Sequence, residues 1–251
     1  MACTKCHSAA PHADKRLNDH LASVSCQACH IPQYAVERAT KMTWDWSAAG
    51  QDLPIDDPHV YMKMKGAFTW AKDVVPFYYW YNGRVDRYVP GDQIDPLRRT
   101  QLSRPQGSIS DPQARIFPFK TLRGDQPYDV RYRYLLKPKL VGAGGYWTDF
   151  NWDEALRLGA EASGLPYSGE YGFALTVMYW PITHMVAPKE DALGCTDCHG
   201  EHGRMNWEAL GYGGDPARMG GRFDVQSGRG RGAAATSEQL TEGGTGSAKA
   251  G

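Results

Sequence analysis

The sequence predicts a mainly α-helical fold with much irregular backbone and a small β-hairpin or loop-rich insertion, its core organised by bound prosthetic groups. Three observations lead there. Two cysteines stand three residues apart with a histidine directly behind them at Cys3-Thr4-Lys5-Cys6-His7, Cys26-Gln27-Ala28-Cys29-His30 and Cys195-Thr196-Asp197-Cys198-His199, which uses all six cysteines. Hydrophobic residues make up 41% of 251 residues, modest for this length. The chain also carries 28 glycines, 16 prolines and 12% aromatics, a composition of turns and irregular backbone.

Cys-x-x-Cys-His is the pattern of covalent haem c attachment: two thiols on one turn add to the vinyl groups of a porphyrin, and the histidine becomes the proximal iron ligand. The fold class is therefore a multihaem cytochrome c with three covalent haems c, held by Cys3, Cys6, Cys26, Cys29, Cys195 and Cys198 with His7, His30 and His199 as iron ligands. Flat apolar porphyrins supply the buried surface that the side chains lack, so the haem-free chain is expected to fold poorly. Cys3, Cys6, Cys26 and Cys29 also have the spacing of a four-thiolate zinc site. A zinc-binding structural module explains neither the third pair nor the histidines. Disulfides likewise leave the histidines unexplained.

Each element follows in order. Residues 1–40 form a two-haem segment whose linker places Leu17, Leu21 and Val24 at near-helical spacing. Pro32 should stop any helix after the second motif. Residues 41–150 hold no motif; there Phe77–Tyr81, Asn82-Gly83 and Arg84–Val89 read as a β-hairpin amid loops. Residues 151–215 begin with a capped helix. Asn151 is the cap, Glu154 reaches back to it, and Trp152, Ala155, Leu156, Gly159 and Ala160 form the apolar stripe, with Gly164 and Pro166 ending it. The third motif follows. Residues 216–251, rich in Gly, Ala and Ser, read as a disordered tail.

Five histidines remain for the sixth iron position, which separates electron transfer from catalysis. His12, His20 and His184 are the expected distal ligands. His202 lies too close to a proximal ligand, and His59 sits in a polar loop. Met178, Met185 and Met205 read as packing residues. Three irons with two histidines each would make this segment a wire; an open position would make it a stand-alone trihaem reductase. Balanced charge, 28 basic against 28 acidic residues, argues against nucleic acid as a partner. No apolar stretch is long enough to span a bilayer. No export signal precedes the first motif, although haem c attachment is extracytoplasmic; a truncated start is therefore expected, along with a periplasmic location. Redox proteins are the expected partners, and homo-oligomers are compatible with the sequence.

The runs Cys26–Pro32, Thr43-Trp44-Asp45-Trp46-Ser47, Trp80-Tyr81-Asn82-Gly83, Ile116-Phe117-Pro118-Phe119-Lys120, Gln126-Pro127-Tyr128-Asp129 and Tyr179–Pro188 lie in order along residues 1–216. In them the chain resembles octahaem c-type cytochromes of the tetrathionate reductase family. That resemblance implies a periplasmic reductase of tetrathionate, nitrite or hydroxylamine, of which the three motifs would be the last of eight. It places the catalytic, lysine-ligated haem in an N-terminal region beyond this chain, which would then be a partner of the three haems here. Lys63, Lys65 and Lys120 read as surface charge or substrate steering.

Overall fold

The computed structural model describes residues 3–226. Its centre is a mixed sheet of eight strands: β1 (Thr40–Asp45), β2 (Tyr61–Met62), β3 (Gly66–Ala71), β4 (Phe77–Tyr81), β5 (Val85–Arg87), β6 (Thr100–Pro105), β7 (Arg115–Asp129) and β8 (Tyr171–Pro181). The spatial order is β2-β3-β1-β7-β8-β6-β5, with β4 also paired to β7. The helices are α1 (Lys15–Asp19), α2 (Cys26–His30), α3 (Tyr146–Asp149), α4 (Trp152–Ala162), α5 (Cys195–Cys198), α6 (Pro216–Met219) and α7 (Arg222–Gln226). Strand outweighs helix, which corrects the expectation of a mainly helical chain. The aromatic stretch that reads as loops supplies β-forming residues, and their partners lie far away in sequence. β7 and β8 pair antiparallel from Phe119↔Pro181 to Asp129↔Tyr171, with more than forty residues between partners even at the end nearest in sequence.

The expected hairpin does not form. Phe77–Tyr81 pairs with β7, from Phe77↔Phe119 to Tyr81↔Arg115, while Val85–Arg87 pairs with β6. Packing decides this. Tyr79 meets Phe119 and Tyr179 at ring-centroid distances of 5.8 and 5.0 Å, and Tyr81 meets Phe117 and Phe119 at 5.5 and 5.3 Å. Such edge-to-face aromatic pairs favour the β7 partner over the local turn.

Helix α4 matches its sequence signature. The Asn151 side chain accepts from Glu154 N at 3.2 Å, and Trp152, Ala155, Leu156, Gly159 and Ala160 are its buried residues. Glu154 does not reach back to the cap; it binds Arg157 at 2.8 and 2.9 Å. Leu165 N donates to Ala160 O and Gly164 N to Glu161 O, both 3.0 Å, closing the helix around Gly164 at φ +68°. At Gly159 the backbone passes so close that an added Cβ would sit 1.8 Å from Lys137 O. The stripe packs on Ala49, Tyr134, Leu136 and Tyr146.

Strands β4 and β7 carry the second motif. Ile116 bridges to Val24 and exchanges hydrogen bonds with Ser23 and Ser25, which seats α2 on β7. Ala28 then packs with Tyr78, Trp80, Ala114, Ile116, Met205, Leu210 and Tyr212. Residues 216–226, expected in the tail, form α6 and α7 within the described region; the rest of the expected tail lies outside it. Arg222 of α7 is 3% exposed and donates to the carbonyls of Ile109, Ala22, Ala114 and Asp111. That buried anchor is what draws this segment into the fold.

Candidate haem sites

Each motif occupies one short helical turn, which brings its two cysteines to the same side. Cys3–Lys5 is a 3-10 turn, and both Cys6 N and His7 N donate to Cys3 O, at 3.1 and 3.0 Å. Cys26 and Cys29 lie on α2, Cys195 and Cys198 on α5. Asp197 inside the third motif caps its own helix, accepting from Gly194 N at 2.8 Å. All six cysteines are free thiols. Burial pushes up the thiols of Cys26, Cys29 and Cys198, the last to about 12.

Neighbouring thiols add to those shifts and show how the motifs lie. Cys26 feels Cys3, and Cys198 feels Cys29. The second motif therefore adjoins both the first and the third. Further bonds tie it to the third: Leu193 N donates to Cys29 O at 3.0 Å, and Arg204 reaches Pro32 O at 2.8 Å while its N–H meets Asp197 O at 2.9 Å.

The structure pairs two motif histidines with two of the expected distal ones. His12 and His30 have ring centroids 6.1 Å apart with planes at 9°; His20 and His199 are 6.2 Å apart at 77°. An imidazole nitrogen binds a metal at about 2 Å, so with roughly 1 Å from each nitrogen to its ring centre, two imidazoles on opposite sides of one iron have centres about 6 Å apart. Both gaps have that width, and the residues present fit a haem at each.

Hydrogen bonds orient these rings. His20 Nδ1 is 2.7 Å from Arg16 O, and His199 Nδ1 is 2.6 Å from Asp215 Oδ1, so in each ring Nε2 is left for a metal. Asn18 holds the backbone of His12 at both N–H and C=O, at 3.0 and 2.7 Å. Burial, followed by the nearby His12 and His7, lowers the pKa of His30 and favours the neutral imidazole that a metal requires. Trp207 lies flat beside His199, centroids 5.1 Å apart at 17°.

His184 is brought to none of the motif histidines by a ring contact among the described residues. It is exposed, on the wall of a cleft of about 1240 Å³ lined also by Tyr34, Lys120, Trp180, Ile182 and Arg204. His59 is exposed beside Asp57 and Trp70, and His202 is exposed. Among the described residues no group of three or more His, Cys, Asp or Glu side chains gathers as a zinc site would need, and no helix is long and apolar enough to cross a membrane. Sequence reasoning missed Asp215, Trp207 and Arg204. Asp215-Pro216 is a recognisable helix start, but nothing local links it to His199.

Comparison with known proteins places the chain among c-type cytochromes. The chain is similar to the octaheme cytochrome c from Shewanella oneidensis, with a TM-score of 0.83 and 49% sequence identity over 86% of this chain and 52% of that one. It thus spans about half the length of that protein. No curated protein matches it. The family model described as bacterial cytochrome c matches residues 41–202, about two thirds of the chain and including the third motif. The chain therefore belongs to the bacterial cytochrome c family, as a multihaem electron-transfer cytochrome with covalently bound haem c.

Proposed function

We propose that this chain binds three haems c in series and serves as the electron-transferring part of an extracytoplasmic octahaem reductase of the tetrathionate reductase kind. Cys3/Cys6, Cys26/Cys29 and Cys195/Cys198 attach the haems, with His7, His30 and His199 as proximal ligands. His12 is the distal ligand opposite His30, and His20 the one opposite His199. His184 is the remaining distal ligand of the set, although it lies exposed on the cleft wall and faces no motif histidine ring among the described residues.

The observation that carries the proposal is the pair of iron-sized gaps, 6.1 and 6.2 Å, each between a motif histidine and a histidine from a different turn of chain. Bound haem supplies one-electron redox chemistry. The polypeptide attaches it, orients the imidazoles and, through the shared second motif, keeps the stations adjacent. The substrate class rests on the sequence runs alone, while the similarity to an octahaem protein supports the multihaem reading.

Expression with haem maturation in a bacterial periplasm tests this. Three haem masses per chain and low-spin spectra at the second and third sites are expected. Fewer than three haems refutes the count.

A stand-alone trihaem reductase is the second reading. It is favoured by His7, which has no facing histidine ring among the described residues. It predicts carbon monoxide binding at one haem and reoxidation by tetrathionate, nitrite or hydroxylamine without a partner; failure of both refutes it.

A further inference from the structure

The three motif histidines are not held alike. His199 Nδ1 meets Asp215 Oδ1 at 2.6 Å, and the side chains are only 23% and 14% exposed. The same carboxylate accepts from Gly200 N at 2.6 Å and Ala217 N at 2.9 Å, so its position is determined from three sides. Trp207 covers the imidazole face. Neither His7 nor His30 has a hydrogen-bonded carboxylate on its ring among the described residues. The distal His20 has only the neutral carbonyl of Arg16 on its Nδ1.

We propose that Asp215 is a tuning residue that makes the third haem the lowest-potential station of the series. The proposal rests on His199 being the proximal ligand of that haem. An ionised carboxylate accepting from Nδ1–H draws the proton toward itself and makes the imidazole a stronger electron donor at Nε2. Oxidised iron carries one more positive charge than reduced iron and gains more from a basic ligand and a nearby anion. Partial burial limits screening by water and strengthens both effects. Cys198 neighbours Cys29, so the third site abuts the second, and the asymmetry sets a potential gradient along the motifs rather than three equal stations.

The test is a spectropotentiometric titration of the full haem-loaded chain and of Asp215→Asn, with Asp215→Glu as the conservative variant. Asparagine has the same shape and keeps one acceptor oxygen, enough for Ala217 N or Gly200 N but not for both, while removing the charge. One of the resolved midpoints, the lowest in the parent, should rise by at least the tenfold change in reduction equilibrium that equals 59 mV for one electron. The other two should stay in place, and Asp215→Glu should return most of the shift. Three unmoved potentials, or three that move together, overturn the proposal while the parent's haem count and low-spin spectrum leave the functional reading intact. A parent chain whose Cys195–Cys198 peptide carries no haem mass overturns that reading instead. Should Asp215→Asn mature poorly, Trp207→Leu in a chain retaining Asp215 must leave the lowest potential lowest; a reordering overturns the proposal.

Discussion

Arg222→Met is the sharpest test of how the C-terminal segment is held. The guanidinium donates to Ile109 O at 2.7 Å, Ala114 O at 2.9 Å and Ala22 O at 3.3 Å, bonds Asp111 O, and lies 4.5 Å from the Trp80 ring centre. Hydrogen bonds to a charged group contribute about 1.5–3 kcal/mol each. Counting only the two shortest bonds with stated lengths gives about 3–6 kcal/mol. The desolvated cation–π contact adds about 1–2 kcal/mol. Side-chain freedom regained by the variant returns about 2 kcal/mol. The net loss is about 4 kcal/mol, which lowers Tm by roughly 8–16 °C for a chain of this size. Thermal melts of the haem-loaded protein followed by far-UV circular dichroism measure it. Arg222→Lys should recover only part, because one ammonium cannot span four separated carbonyls. A loss under about 1 kcal/mol in Arg222→Met would refute the reasoning and return this segment to the role of a loose tail.

Other expectations are narrower. His12→Ala and His20→Ala should each convert one haem from low-spin to high-spin while leaving the haem mass unchanged; an unaltered spectrum in either removes that residue as a ligand. Gly159→Ala should cost more than about 2 kcal/mol despite the helix propensity gained, because the added methyl meets Lys137 O; a neutral result in urea denaturation would show that the close approach relaxes. Burial raises Tyr34 and Tyr146 to about 12 from the usual 10. A folded-state pKa above the unfolded one gives stability that is full below pH 10 and lost as pH rises toward 12. Alkaline unfolding should therefore steepen over that window and flatten in Tyr34→Phe, with a parallel profile counting against it.

How much was legible from the residues differs from element to element. The three attachment motifs are local chemistry: both cysteines and the histidine fall within five residues, and one helical turn presents them whatever surrounds it. Helix α4 was equally readable, because Asn151, the stripe from Trp152 to Ala160 and Gly164 act within one or two turns of each other. His12 and His20 could be nominated as ligands, but not assigned to haems. Their partners His30 and His199 stand 18 and 179 residues away, and only the fold sets which rings face each other.

The sheet shows the same boundary. Phe77–Tyr81 was recognisable as a strand, and Asn82-Gly83 as a turn, but its neighbour was not. The local turn competes with an aromatic surface on β7, and cross-strand packing outweighs the turn signal. The prolines at 118 and 127 hid a central strand, since a proline removes a ladder donor and usually marks an edge. Composition likewise assigned residues 216–226 to a tail. It could not register that one buried guanidinium finds four carbonyls drawn from distant segments.

By itself, then, the sequence pointed to covalent haem c, nominated the attachment points and defined the one strongly capped helix, because those depend on contacts within a turn or two. Tertiary structure decided the strand order, which histidine rings face the motif histidines and the carboxylate on His199. Each of these is a meeting of residues far apart in the chain, and the free energy that selects it comes from burial and packing that no local window contains.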